Sequence, residues 1–459
     1  MYGCAKINAG GAGVRVLRWG PRVPESEGIA PGAIAPEAVL PRVEATSVHR
    51  LHPLHPLHPL SGVVAVFLCG LFAFLDLYAT QPILPLLESI FHASKGRVAL
   101  TISASTLGVA LGAPLLGMVT ERLSRKRVIV CAVVALTVPT LLAASSPGLG
   151  WLIFWRFLQG LITPGVFATT IAYITEQWPP TAVAPVMSIY VSGTALGGFL
   201  GRTVVGLLTR PLGWRASFLV LGSLTALGAL VIARLLPAER GYAVGVGSRI
   251  GGSRIGEVSM RGRLHAHLTP LLRHFRNRRL LATYVVGFNV LFSLVGVFTY
   301  ITFYLAAPPF SLSPEKLSLL FVVYLIGLVA TPLAGAMLPR LGLRRGIASS
   351  LTLSLVGVLM TLDHALSMVV TGLALCCTGV FISQACATSF LREAAPPEGR
   401  ASAVGLYVAC YYLGGTVAGV VPSYLWNWGA WPACAVFIAL VDVASIAIAL
   451  RAWRPQEVS

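Results

Sequence analysis

Charge is scarce in this sequence: Asp, Glu, Lys and Arg make up 11% of 459 residues, where soluble domains carry roughly 25%. So few charges could not cover a globule in water. With 56% apolar residues and a mean hydropathy of +0.80, the surface must face lipid, which excludes a soluble enzyme or binding module. Metal-ligand spacing is missing too. The eight cysteines include no Cys-x-x-Cys pair, so no zinc site or disulfide frame is indicated, and Cys69, Cys131, Cys376, Cys377, Cys386, Cys410 and Cys434 read as small apolar packing residues. His92, His265, His267, His274 and His364 fall in loops or at span ends, which speaks against an intramembrane metalloenzyme. There is no glycine-rich phosphate loop followed by Lys and Ser or Thr, which speaks against ATP as the driving force. The expectation is a non-enzyme with no cofactor and no metal.

What the sequence has in abundance is apolar length. A polar start at 1–60, a basic middle at 237–279 and a tail at 453–459 flank two apolar blocks, 61–236 and 280–452. At about 20 residues per crossing, each block holds six helices. The spans fall near 62–86, 97–118, 127–147, 150–174, 183–206, 214–236, 280–305, 316–338, 346–365, 367–391, 401–424 and 432–451. The expected fold is an all-α polytopic membrane protein of twelve transmembrane helices in two six-helix bundles.

With a cytoplasmic N-terminus, the outside loops hold only Lys95, Arg97, Arg210, Arg215 and Lys316, and Arg156 and Arg202 lie within spans; the rest of the 34 Lys and Arg fall inside. Both termini are then cytoplasmic, and the net charge of +18 is an orientation signal with no need of nucleic acid. Trp214, Trp426, Trp428 and Trp431 fall at outside ends, as an aromatic belt would. Residues 1–60 lack a signal-type apolar core and are expected to be a disordered extension. There the repeated His-Pro-Leu of Leu51 to Leu60 puts His52, His55 and His58 on one edge of a polyproline helix, read as a linker in preference to a metal site. The 237–279 segment, with Arg261, Arg263, Arg273, Arg276, Arg278 and Arg279, is expected to lie on anionic lipid. A membrane sensor that uses this segment to recruit a partner is the remote alternative.

The two blocks repeat each other. Gly70 and Gly287, Tyr190-Val191 and Tyr407-Val408, Leu196-Gly197-Gly198 and Leu413-Gly414-Gly415, and Trp214 and Trp431 are all 217 residues apart; Gly165-Val166-Phe167 returns as Gly379-Val380-Phe381 after 214. Each unit has an even number of spans, so the halves are related by an axis along the membrane normal, with a seam that can open to either side. Glycines four residues apart, Gly193, Gly197 and Gly201 in span 5, Gly108 and Gly112 in span 2, and Gly415 and Gly419 in span 11, mark close helix contacts, either static packing or a sliding seam.

The loop after span 2 reads Gly117-Met-Val-Thr-Glu121-Arg122-Leu-Ser-Arg125-Lys126-Arg127. It resembles the signature loop of the major facilitator superfamily, with Glu121 for the usual Asp and Ser124 for the second Gly, and is read as a gating loop. The second half has Pro339 where the acid would be. Span 4 adds Arg156-Phe-Leu-Gln159-Gly160, similar to the superfamily's Arg-x-x-Gln-Gly. With Asp76 and Gln81-Pro-Ile-Leu-Pro85 in span 1 and Gly193 to Arg202 in span 5, the chain looks like the YnfM-type inner-membrane carriers, a drug-efflux-like branch. The resemblance implies proton-coupled efflux from a bacterial inner membrane by a monomer. Gly198 stands where the antiporter signature has proline, so uptake of a sugar or metabolite remains open.

A charge inside the bilayer costs at least ~2.5–3.5 kcal/mol. Asp76 and Arg156 lie at similar depth and are expected to meet in the cavity. There, burial favours a neutral carboxyl and a guanidinium favours a charged one, so Asp76 is the candidate proton carrier. Arg202 is expected to snorkel to headgroups, and Asp442 to sit in a peripheral helix without a cation. Tyr78, Gln159, Thr163, Asn289, Thr299, Tyr300 and Gln384 are the candidate cavity residues, for a neutral or hydrophobic cargo.

Overall fold

The computed structural model describes residues 59–120, 123–239, 277–396 and 400–453. Apart from their edges, the 1–60 extension with its histidine repeat, the 237–279 segment and the final tail lie outside the described residues, as do Glu121 and Arg122.

Nine helices among the described residues are long and apolar enough to cross a membrane. The other crossings come from chain folding. Pro180–Leu235 and Ser402–Ala452 run 56 and 51 residues, about 80 Å if straight, against a hydrocarbon core of about 30 Å. Each doubles back: the first at Gly213, whose φ of +81° favours glycine, the second at Gly429 and Ala430. They are spans 5 and 6, and 11 and 12. Span 1 is broken into Pro59–Leu75, a 3-10 turn Gln81–Ile83 and Leu84–Phe91, because Pro82 and Pro85 supply no N–H to the preceding turn. Span 8 also tightens into 3-10 geometry, at Phe321–Ile326 between Pro314–Leu320 and Gly327–Leu341. Spans 2, 3, 4, 7, 9 and 10 are Lys95–Thr120, Arg125–Ala144, Leu149–Gln177, Arg278–Ala306, Leu343–Met360 and Leu366–Ala394. Side-chain caps start three of these: Ser94 accepts from Arg97 N at 3.4 Å in span 2, Asn277 from Arg279 N at 3.0 Å in span 7, and Ser124 from Arg127 N at 3.5 Å in span 3.

Packing reproduces the sequence repeat. A Cβ at Gly70 would strike Tyr190 of span 5, and one at Gly287 would strike Tyr407 of span 11. Gly193, Gly197 and Gly201 lie against the carbonyls of Phe67, Leu71 and Leu75 in span 1, while Gly108 and Gly112 lie against Phe157 and Leu161 in span 4. These two stripes clamp helices within the first half, so for them the structure has static packing. Gly415 and Gly419 differ: they meet Thr106, Ser103 and Ala99 of span 2 across the seam. The aromatic belt needs correction. Trp428 is exposed, but Trp214 and Trp431 are buried, the latter donating to the Thr361 carbonyl at 3.2 Å. Leu227, Leu230, Val329 and Leu440 point outward, as lipid contact requires.

Candidate functional site

The halves meet unequally at their two ends. At the end poor in basic residues, Ser103 Oγ donates to the Thr416 carbonyl at 2.8 Å, the Thr106 and Thr416 hydroxyls are 3.2 Å apart, and Gln81 Nε2 donates to Thr299 Oγ1 at 3.2 Å. Lys95, paired with Glu88 at 2.6 Å, lies over the rings of Phe303 and Trp426. At the basic end, the ion pairs Arg125–Glu176 and Arg279–Glu393 each stay within one half. The seam is thus sealed at one end.

Behind the seal lies a cavity of about 280 Å³ walled by both halves. Phe74, Tyr78, Phe167 and Arg202 come from the first half, and Tyr324, Phe381, Gln384, Tyr407, Tyr411 and Tyr412 from the second. Phe167 and Tyr412 stack across the seam with ring centroids 6.1 Å apart. Val191, Gly327, Leu328 and Thr331 also line a second hollow of about 540 Å³ that reaches Thr175, Pro180 and Arg392 at the basic end. The two hollows thus share a wall, and the second lies toward that end.

Arg202 is 1% exposed, so snorkelling is ruled out. Its guanidinium sits 4.7, 4.8 and 4.4 Å from the ring centroids of Tyr78, Phe321 and Tyr324. Nε donates to Gln81 Oε1 at 2.7 Å and Nη1 to the Gly198 carbonyl. Since the same Gln81 reaches Thr299, the Arg202–Gln81–Thr299 chain ties spans 5, 1 and 7 together. A Cβ at 198 would come 3.3 Å from Nη1, a physical reason for glycine there.

Asp76 and Arg156 do meet, but not as an ion pair and not in the cavity. Arg156 Nη1 donates to the Asp76 carbonyl at 2.6 Å, Nη2 to the Leu77 carbonyl, and Nε to the Thr101 carbonyl at 3.3 Å. Its side-chain partner is Gln159, at 2.5 Å. The break in span 1 takes two carbonyls out of the regular helical ladder, and the guanidinium binds both, beside Ala79 N on the Asp76 carbonyl at 3.3 Å and Ser105 Oγ on the Leu77 carbonyl at 3.1 Å. The Asp76 carboxylate faces away, accepting from Thr225 Oγ1 at 3.2 Å with Thr140 alongside; its Oδ1 has no hydrogen-bond partner among the described residues.

Asp442 lies in a comparable setting rather than an isolated peripheral one. It is fully buried and accepts from Asn289 Nδ2 at 2.8 Å, Ser293 Oγ at 2.9 Å and Ser354 Oγ at 3.2 Å. Ser293 is the repeat partner of Asp76, Asp442 that of Thr225 (both 217 residues on), and Ser354 that of Thr140 (214 on). Each half therefore holds one carboxyl among hydroxyls at the same place, with acid and hydroxyl exchanged between the first and last spans.

Of the candidate cavity residues, Tyr78 and Gln384 line the cavity, Gln384 accepting from Tyr407 Oη at 2.9 Å. The others bond to helix partners, Thr163 within its own span and the rest between spans. Gln159 donates to Thr140 at 2.7 Å, Thr163 to the Gln159 carbonyl at 2.7 Å, and Tyr300 to the Gly419 carbonyl at 2.7 Å; Asn289 serves Asp442 and Thr299 serves Gln81. Sequence reasoning missed Tyr324, Tyr411 and Tyr412; the 407/411 spacing, one helical turn of tyrosines, was a usable signal. In the signature loop, Gly117 lies in the last turn of span 2, which runs to Thr120, and Arg125 pairs with Glu176 at 3.2 Å. Arg127 N bonds the Ser124 cap, and Lys126 N donates to Glu239 Oε1 at 2.7 Å, as does Ser124 Oγ at 2.9 Å. Glu239, just past span 6, thus places a carboxylate at the start of span 3, where the helix dipole favours it.

The family model for the Major Facilitator Superfamily matches residues 66–308 and 301–459. The Escherichia coli inner membrane transport protein YnfM is 31% identical over 391 residues, covering 85% of this chain and 90% of that protein. An uncharacterized MFS-type transporter of Bacillus subtilis, YybF, is 28% identical over 367 residues, covering 80% and 87%. Among solved structures, the nucleoside transporter NupG superposes with a TM-score of 0.69 at 13% identity, covering 85% of this chain and all of that one. A bacterial homologue of the lysosomal transporter Spinster, inward-facing and unoccupied, gives 0.64 at 15%, covering 87% and 96%.

Proposed function

Because the chain belongs to the major facilitator superfamily, we propose that it is a proton-coupled exporter of small, largely apolar solutes, a monomer in a bacterial inner membrane with both termini in the cytoplasm. The carrying observation is the cavity shared by two duplicated halves, sealed at one end and adjoining a hollow at the other. By the distribution of Lys and Arg, the open end is cytoplasmic. Rocking the halves about the aromatic cavity would break the Ser103–Thr416 and Gln81–Thr299 contacts and close the basic end, giving alternating access.

Proton coupling is assigned to Asp76, whose Oδ1 is buried without a partner and has room for a proton. Arg156 serves it indirectly, by fixing the span 1 break that carries it. The test uses proteoliposomes with an imposed pH gradient and a panel of apolar solutes. Flux should follow the gradient in the native protein and lose that dependence in Asp76→Asn, which keeps the acceptor for Thr225 and stays folded. Full proton coupling in Asp76→Asn would reject the role. Uptake is the second reading, favoured by Gly198 in place of the antiporter proline; solute moving inward with protons in the same assay would establish it.

A further inference from the structure

Arg202 is a cation with no anion. The ion pairs among the described residues are Lys95–Glu88, Arg125–Glu176, Arg210–Glu315 and Arg279–Glu393, and none involves it. Its surroundings are three aromatic rings, the Gln81 amide and the Gly198 carbonyl. Ring faces attract a guanidinium by about 0.5–2 kcal/mol each but leave its full charge uncompensated, and burying a cation without a counter-ion is costly. Nε and Nη1 are engaged, whereas Nη2 meets no acceptor among the described residues. Arg202 lines the cavity, and among the described residues it is the only Asp, Glu, Lys or Arg to do so.

We propose that this cavity binds an organic monoanion, a carboxylate carrying one aromatic ring, with the carboxylate on Arg202 and the ring among Phe74, Phe167, Phe381, Tyr411 and Tyr412. The inference deepens the transport reading by naming the class of its solute, and it replaces the expectation of a neutral cargo. Charge complementarity fixes the sign: one buried positive charge accepts one negative charge, while a dianion would be left with an unpaired charge among rings. Size agrees with a small ligand. About 280 Å³ lies near the lower end of small-molecule pockets, ~300–1,000 Å³, and leaves space for a single ring with a short acid arm. Stacking surfaces on both halves would grip that ring, and the unengaged Nη2 would give the carboxylate a charge-assisted hydrogen bond.

The test is equilibrium binding to the purified full chain, by calorimetry, of phenylacetate, phenylacetamide and phenethylamine, which share a ring and differ in charge. Phenylacetate should bind roughly tenfold or more tighter than the amide, and the amine should not bind. Arg202→Gln should erase the preference for the acid, and Arg202→Lys should keep part of it. Should Arg202→Gln fail to fold, the three probes on the native protein still decide. Equal binding of acid and amide, tighter binding of the amine, or no binding of phenylacetate at millimolar concentration would overturn the proposal. No gradient or flux enters the measurement, so a protein that binds phenylacetate yet moves nothing across vesicles would refute transport alone.

Discussion

Removing Arg156 should harm the fold far more than removing the charge of Asp76. An ion pair would make the two losses similar, since breaking either side of a buried pair costs about 3–5 kcal/mol. In the structure, Arg156 spends its donors on the carbonyls of Asp76, Leu77 and Thr101 and on Gln159. Arg156→Gln removes charge-assisted hydrogen bonds to three buried carbonyls, about 1.5–3 kcal/mol each, although the Asp76 carbonyl keeps Ala79 N at 3.3 Å and the Leu77 carbonyl keeps Ser105 Oγ at 3.1 Å; the loss is offset in part because a cation no longer has to be buried. A net loss of about 3 kcal/mol or more follows. Asp76→Asn keeps every one of those bonds and still accepts from Thr225, so its cost should stay within about 1 kcal/mol. Thermal unfolding of both variants in detergent, followed by fluorescence-detected size exclusion, measures the contrast. Equal destabilisation by Asp76→Asn and Arg156→Gln would refute the backbone-clasp account and restore the ion pair.

The exchanged acid and hydroxyl give a second expectation. Asp76→Thr combined with Thr225→Asp copies the arrangement of the other half and should unfold near the native temperature, whereas Thr225→Asp alone sets two buried carboxyls together and should unfold well below it. Gly201→Ala drives a Cβ into the Leu75 carbonyl and should cut the yield of folded protein; Gly405→Ala, with nothing within 4 Å, should leave yield unchanged in the same expression assay. Thr106→Cys with Thr416→Cys, made with the exposed Cys131 replaced, should form a disulfide across the sealed end. Oxidation should stop flux in vesicles and reductant should restore it; undiminished flux in the oxidised protein would mean that the seal does not open during transport.

The membrane class, the duplication and the superfamily were legible in the sequence because apolar length, repeated glycine patterns and the Gly117 loop are local signals. Depth along a helix was legible too, which put Asp76 beside Arg156. Azimuth was not. Whether Gln159, Asn289 or Tyr300 turns toward the cleft or a neighbouring helix depends on how twelve rods rotate, and most of these polar groups were claimed by carbonyls and hydroxyls inside their own half. Tyr300 reaches across to Gly419 on the same principle, and Thr299 to Gln81 in the other half. Arg202 was misplaced because a position near a span end resembles a headgroup anchor, although the tyrosines and Phe321 that enclose it come from two other stretches of chain, spans 1 and 8.

Asp76 immediately precedes the interrupted stretch of span 1, while Asp442 belongs to an unbroken run of span 12. One carboxyl therefore rides on a hinge and the other on a strut. Any rearrangement of the short 3-10 piece at Gln81–Ile83 is transmitted through a few residues of backbone to Asp76, whereas the acid of the second half stays fixed to a rigid rod. Two near-twin pockets inherited from one ancestral unit have in this way come to differ in compliance, and only the first is mechanically tied to the residues that latch the halves together.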